Sequence, residues 1–215
     1  MSIDFFIKSL YKSFNYSSVQ KVAIDYKKNI RDLDYLDFVE KFFNGGLFLE
    51  GALMLYSYGV TDGYAQISEV NKSLNEEFGS LFGNLFAFGQ DVFGNQFCFE
   101  SDTTNVIFFS IEDGDRKEMC IDFKGWLTIM ENDSDYYTGY PYLCRWKKHY
   151  PFGDGERLCP KIPFIIGGEY EIENFYACNF PSYISANSAI AKQIFDMPDG
   201  QEIKLKIIPP SHPGQ

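Results

Sequence analysis

An amphipathic stretch that runs into Asn44-Gly45-Gly46 constrains this chain more than any other feature. Leu36, Val39 and Phe43 recur three and four residues apart, with Asp37, Glu40 and Lys41 off that stripe, which predicts a helix from Asp32 to Phe43. Asn and Gly tolerate the left-handed conformation that closes a helix. Asn44 to Gly46 therefore reads as its stop, with one of the two glycines at positive φ. Leu47-Phe48-Leu49 and Leu53-Met54-Leu55-Tyr56 then read as two short strands around Glu50-Gly51.

Downstream the periods stay clear. Ile67, Val70 and Leu74 share one side of a helix predicted from Ile67 to Phe78 and stopped by Gly79. Leu85–Phe88 and Gln96–Phe99 predict a hairpin around Gln90-Asp91 and Gly94-Asn95. Val106–Ile111 is a further strand, rich in β-branched and aromatic residues, and Asp113-Gly114 turns the chain back through Glu118–Ile121. Asp122 is placed to cap a helix that opens with Phe123 and Trp126. Upstream, Phe5, Phe6 and Leu10 predict a short helix after Ser2, broken at Asn15–Ser18, with another over Val19–Ile30.

Beyond residue 131 the pattern changes. Residues 132–161, with Asn132-Asp133-Ser134-Asp135, several tyrosines and Gly153-Asp154-Gly155, read as a loop and a soft boundary. Ile162–Tyr170 reads as strand and turn, Asn174–Cys178 as a second strand and Ala186–Phe195 as a helix. Pro198-Asp199-Gly200 leads into a strand at Ile203–Ile208. This β–β–α–β block is small for an independent domain and is expected to pack on the first core. The expected class is α+β: a mixed, mainly antiparallel sheet with packed helices over residues 1–135, the extension over 136–208, and an extended or disordered tail over 209–215.

The net charge of −11 is unevenly spread. Residues 1–30 carry +3, residues 31–140 carry −14, and residues 141–215 balance to zero. A field of that sign repels phosphate backbones and anionic membranes and draws in basic proteins, so neither nucleic acid nor membrane is an expected partner. Arg145-Trp146-Lys147-Lys148-His149 is the one concentrated basic-aromatic patch, and internal pairing with the acidic half is its expected role. Five cysteines without a Cys-x-x-Cys argue against a disulfide framework and a structural zinc site. The N-terminus has an early acid and no basic region, which makes it a poor signal peptide. No apolar run nears the roughly 20 residues that span a bilayer, and a cytoplasmic location is expected.

Enzyme constellations are scarce. A Cys/His pair needs His149 beside Cys144 or Cys159; no Gly-x-Ser-x-Gly elbow or phosphate loop is present. A calcium loop at Glu112–Asp115 fails because Arg116 and Lys117 fall where ligands belong. No catalytic residue, cofactor or metal ligand is assigned. Asp133 and Asp135, interleaved with Tyr136, Tyr137, Tyr140 and Tyr142, read instead as a contact surface, because tyrosine joins apolar area to a polar tip. Glu112, Asp113 and Asp115 at the Asp113-Gly114 turn are expected to project into solvent. The candidate partner-binding set is thus Glu112, Asp113, Asp115, Asp133, Asp135, Tyr136, Tyr137 and Tyr140.

Taken together, Phe42–Gly46, Leu53–Gly59, Leu85–Asp91 and Gly94–Phe99 resemble the SUKH superfamily, the Smi/Knr-type domain, over about residues 30–135. There a helix ending in Asn-Gly-Gly precedes a strand ending near Tyr-Gly. A Gly/Asp/Asn-rich strand–turn–strand follows, and a helix of the Phe-x-x-Trp type comes after the last strand. The C-terminal block resembles the extension of some bacterial members. The resemblance implies a cytoplasmic immunity protein of bacterial competition that binds and neutralises a cognate toxin, basic in charge, by stoichiometric blocking and without chemistry of its own. A nuclease is one toxin class that fits. A regulatory or scaffolding protein without a toxin, and a small-molecule-binding or enzymatic protein, stand as alternatives.

Overall fold

The computed structural model describes residues 4–14, 30–42, 45–58, 62–198 and 200. The helix expected over 19–30 lies, but for Ile30, outside the described residues, as do the strand at Ile203–Ile208, the tail, and Phe43 and Asn44 of the helix stop.

The fold is α+β. Seven strands form one sheet in strict chain order: β1 (Leu10–Ser13), β2 (Gly46–Phe48), β3 (Leu53–Leu55), β4 (Leu85–Gln90), β5 (Gln96–Glu100), β6 (Val106–Phe109) and β7 (Arg116–Cys120). Every neighbouring pair is antiparallel, and the parallel component expected from sequence is reduced to an isolated bridge between Ser57 and Gln66 among the described residues. Helices α1 (Asp4–Ser9), α2 (Leu33–Phe42), α3 (Ile67–Phe78), α4 (Phe123–Thr138), α5 (Tyr140–Lys147) and α6 (Ser182–Ile194) pack around it. Strands β8 (Glu156–Pro160) and β9 (Phe175–Asn179) make a separate antiparallel pair.

The period of two in the strands sorts aromatic rings onto two faces. On one face Phe97 and Phe99 meet α2 and α4: Tyr35 stands 4.9 Å from Phe99, and Trp126 lies 5.4 Å from Phe97 and 5.1 Å from Phe88. Phe6 of α1 closes that layer by stacking on Trp126 at 5.7 Å. On the other face Phe109 packs edge-on to Phe78 at 5.1 Å and Phe82 at 5.2 Å, beneath α3 and α6.

Three polar devices fix the layers. Asp32, buried, accepts from the Tyr35 N–H at 2.9 Å and the Phe123 N–H at 2.8 Å, so one carboxylate caps α2 and ties it to the start of α4. Asp122 caps α4 as expected, accepting from the Gly125 N–H at 2.7 Å. Asn71 of α3 donates to the Ala87 carbonyl at 2.8 Å and accepts from the Ala87 N–H at 2.8 Å, where the β4–β5 register shifts. A bulge leaves backbone groups unpaired, and this amide satisfies them.

Gly45 carries the positive φ anticipated at the helix stop, +64°. A Cβ there would meet the Leu55 carbonyl oxygen at 2.4 Å, so both conformation and space demand glycine.

Several expectations need correction. Leu10–Ser13 is strand β1, although all four residues are exposed and nothing alternates toward a core. Residues 132–147 are not a loop: α4 runs through Asn132-Asp133-Ser134-Asp135 with a break in helical geometry at Asp133 (φ −144°, ψ 40°), and α5 follows at once. The boundary drawn at 135/136 therefore falls inside α4. Ile162–Tyr170 is not a strand; Phe164–Ile166 forms a 3₁₀ turn, and the first strand of the extension is β8. Tyr183, Ile184 and Ala191 of α6 share the core of the sheet.

Candidate functional site

The β4–β5 turn organises the site. Buried Asp91 accepts from the N–H of Phe93 at 2.9 Å, the N–H of Asn95 at 2.8 Å and the Asn95 side chain at 2.8 Å. Val92 then donates to the Thr138 carbonyl at 3.1 Å, and its own carbonyl accepts from the Leu158 N–H at 2.8 Å. One turn thus joins the end of α4 to β8. Burial pushes the Asp91 carboxyl up to about 7, against the pull of its hydrogen bonds and of Arg157.

Arg157 of β8 is itself fully buried. The Gln90 amide, oriented with its oxygen toward the guanidinium, accepts from Arg157 Nε at 3.1 Å and Nη2 at 2.9 Å and donates to the Tyr183 hydroxyl at 2.8 Å. A third contact runs from Arg157 to the Glu156 carbonyl. This polar cluster sits between the sheet and the extension and satisfies a charge that is otherwise expensive to bury.

Where α4 and α5 meet the sheet beside β6 and β7, a groove of about 960 Å³ opens. Its apolar wall is Phe93, Phe108, Tyr142 and Tyr170; Tyr142 lies 5.6 Å from Phe93 and 5.5 Å from Tyr170. Opposite stand Tyr136 and Tyr137, edge to face at 5.0 Å, with Tyr136 73% exposed. Asp115, Glu118, Asp133 and Asp135 line the groove with Asp91 at its base, against the two cations Lys117 and Arg145. Gly139 makes this approach possible. At φ +67° it ends α4, and a Cβ there would meet the Phe93 ring at 2.6 Å.

The eight sequence candidates separate under this geometry. Asp115, Asp133, Asp135, Tyr136 and Tyr137 converge on the groove. Asp113 and Glu112 line an adjoining hollow of about 420 Å³ that shares the Phe93, Phe108 and Tyr170 walls. Glu112 does not project into solvent. Its carboxylate accepts from the Phe164 N–H at 2.6 Å and the Ile165 N–H at 3.1 Å, and burial pushes it up to about 7. Asp113 accepts from the Asp115 N–H at 3.0 Å and serves the turn. Tyr140 lies apart, donating to Glu50 at 3.3 Å; its phenol is pushed up by the Cys144 thiol beside it, then by burial.

Phe93, Phe108, Tyr170 and Arg145 complete the groove and were not among the candidates. A phenylalanine inside the Gly/Asp/Asn-rich turn 91–95 was the one available sign, since a turn rarely presents such a ring without a surface to cover. Two members of the basic patch pair internally: Lys147 bonds to the Glu50 carbonyl at 2.6 Å, in the acidic half as expected, and Arg145 pairs within the extension, with Glu171 at 3.5 Å. Cys144 contacts Tyr140 and Cys159 contacts Cys178, while His149 is exposed beside Tyr150. Among the described residues no group of three or more His, Cys, Asp or Glu side chains is arranged to hold a metal ion, and no helix is long and apolar enough to cross a membrane.

No protein-family model matches the chain, and no curated protein matches it. The fold is similar to that in the crystal structure of Atu4351 from Agrobacterium tumefaciens, with a TM-score of 0.52 and 18% identity, covering 79% of this chain and 78% of that one. At that identity the likeness concerns the fold alone.

Proposed function

We propose that this chain is a cytoplasmic immunity protein that binds a basic cognate toxin and neutralises it by occupancy, one to one, without catalysis. The observation that carries this reading is the groove: five of the eight contact residues expected from sequence meet in one concavity whose carboxylates outnumber its cations. The SUKH-like pattern between residues 30 and 135 supports the same function class. A concave, aromatic surface supplies desolvated anchors, and surrounding acids accelerate docking of a basic partner. A nuclease toxin fits best, since a nuclease carries a basic face for its own substrate.

The test is co-expression with the toxin encoded beside this gene, followed by calorimetry on the purified pair. Protection of growth and a one-to-one complex support the reading. Protection without a complex, or turnover of any toxin-derived group by substoichiometric amounts of this protein, would replace it with an enzymatic one. A one-to-one complex with a partner that harms no cell would favour the scaffolding alternative.

A further inference from the structure

The groove has a more specific chemistry than negative charge. Its apolar wall already holds one guanidinium from its own chain. Arg145 stands over the Tyr142 ring, 4.9 Å from the centroid, and donates to the Tyr170 carbonyl at 3.2 Å. Tyr142 and Tyr170 are also packed against Phe93, at 5.6 and 5.9 Å, so the rings that receive Arg145 are fixed by their neighbours. Tyr136 and Tyr137 present further ring surface in the same groove, with Asp135 beside them on α4 and Asp133 at the break in that helix. Asp115 faces them from the β6–β7 turn.

From this we infer that the groove is the receptor for an arginine side chain of the partner, stacked on the tyrosine rings and bonded to the Asp133 and Asp135 carboxylates. The inference rests on the reading of the groove as the partner-binding surface and names its anchor. Arginine fits better than lysine for physical reasons. Its planar guanidinium sheds water at lower cost, stacks on aromatic faces and offers paired N–H groups to a carboxylate, whereas an ammonium is a strongly hydrated point charge. The electrostatics agree. The Tyr170 hydroxyl is pushed up to about 12, first by burial and then by the charges of Glu112 and Asp91. The excess of carboxylates over cations in the groove favours a cationic protein segment over a phosphate as its occupant.

The probes are three peptides of equal length, rich in arginine, lysine or citrulline, titrated into the full chain at low salt and followed by NMR of the tyrosine rings and by calorimetry. The arginine peptide is expected to bind about tenfold more tightly than the lysine peptide, a difference of about 1.4 kcal/mol, with the uncharged citrulline peptide weakest. Changing Tyr136→Ala with Asp133→Asn and Asp135→Asn should abolish the preference while leaving the melting temperature unchanged. Equal affinity for arginine and lysine, or a preference that survives those changes, would overturn the inference in favour of plain charge attraction. If no peptide binds while the toxin complex forms, the anchor is wrong and the proposed function stands. If the peptides discriminate but no toxin complex forms, the function is wrong and the anchor stands.

Discussion

The sheet region up to Met130 and the region that follows it bury comparable kinds of residue but are held by different means. In the first, rings touch rings: Tyr35, Phe88, Phe99, Phe123 and Trp126 form a continuous aromatic layer. In the second, much of the attachment passes through polar contacts. Glu112 holds the 3₁₀ turn, Gln90 and Tyr183 surround Arg157, and Glu77 accepts from Ser185 at 2.6 Å and Ser188 at 3.1 Å to join α3 to α6. Dispersion and the hydrophobic effect are summed over many atoms, whereas a buried polar contact depends on each partner being present. The sheet region should therefore yield gradually to shape changes, and the extension abruptly to the loss of one partner.

The largest effect is expected in the sheet. Trp126→Ala removes a fully buried indole that touches Phe6, Phe88, Phe97 and Phe123, and should cost about 3–5 kcal/mol in urea unfolding. A loss under 1 kcal/mol would mean that the aromatic layer is not the core. Arg157→Ala should rival it, at about 3–5 kcal/mol, because it empties a buried site and orphans the Gln90 amide. Arg157→Met should recover most of that loss; if Met proves as damaging as Ala, the charge itself stabilises the fold and the contrast between regions sharpens. Gly45→Val should reduce soluble yield and stability by about 1–3 kcal/mol through its positive φ, with the close Leu55 carbonyl adding to it. A Gly45 variant that melts like the parent but loses partner binding would make that turn a contact site.

The junction between the two regions should reveal itself through pH. Burial raises Asp91 from 3.8 and Glu112 from 4.5, each to about 7. Both therefore hold a proton more tightly in the folded chain than in the unfolded one. The stability they contribute is complete at pH below about 4 and is lost as pH rises through about 7. Melting temperature should fall across that window, and the fall should be shallower in Asp91→Asn and Glu112→Gln. A parent whose stability rises between pH 5 and 7 would contradict this burial. The smallest stability effect is expected at the groove rim, where Asp133→Asn and Asp135→Asn should each stay within about 0.5 kcal/mol of the parent. The groove surface would then be separable from the scaffold that carries it.

What the sequence disclosed follows the same division. Helix α3 matched its expected limits because Ile67, Val70 and Leu74 serve one apolar face and Gly79 ends it at φ +57°. The β4 to β7 hairpins were legible from β-branched and aromatic composition and from turn chemistry. Asn132-Asp133-Ser134-Asp135 misled because its composition suits turns. Yet the helix is already established by the Asp122 cap and anchored by Trp126 and Met130, and propensity yields to that packing. Ile162–Ile166 looks like a strand from its side chains, but the Phe164 and Ile165 N–H groups find Glu112 from a distant turn, a pairing that no local window contains. Strand β8 was hidden for the opposite reason: its second residue is an arginine, and nothing near Gly153-Asp154-Gly155 signals that such a residue will be buried. The site was visible as a list of acids and tyrosines, but not as a concavity, because its walls come from Phe93, Phe108 and Tyr170 on three separate segments.

The strand order of the large sheet also bears on how the chain reaches this structure. Each strand lies beside the one before it in sequence, from β1 to β7. From β2 onward a sheet of that order can grow one hairpin at a time, each closure spanning a short loop or the one that carries α3, and so a modest loss of chain entropy. Contacts between distant positions then tie the layers together: Phe6 stacks on Trp126, Asp32 bonds to Phe123, β8 docks on Val92 and α6 settles against α3. The groove is lined by residues of the sheet and of the segments that follow it, so a chain that has formed its hairpins alone does not yet carry the complete partner surface.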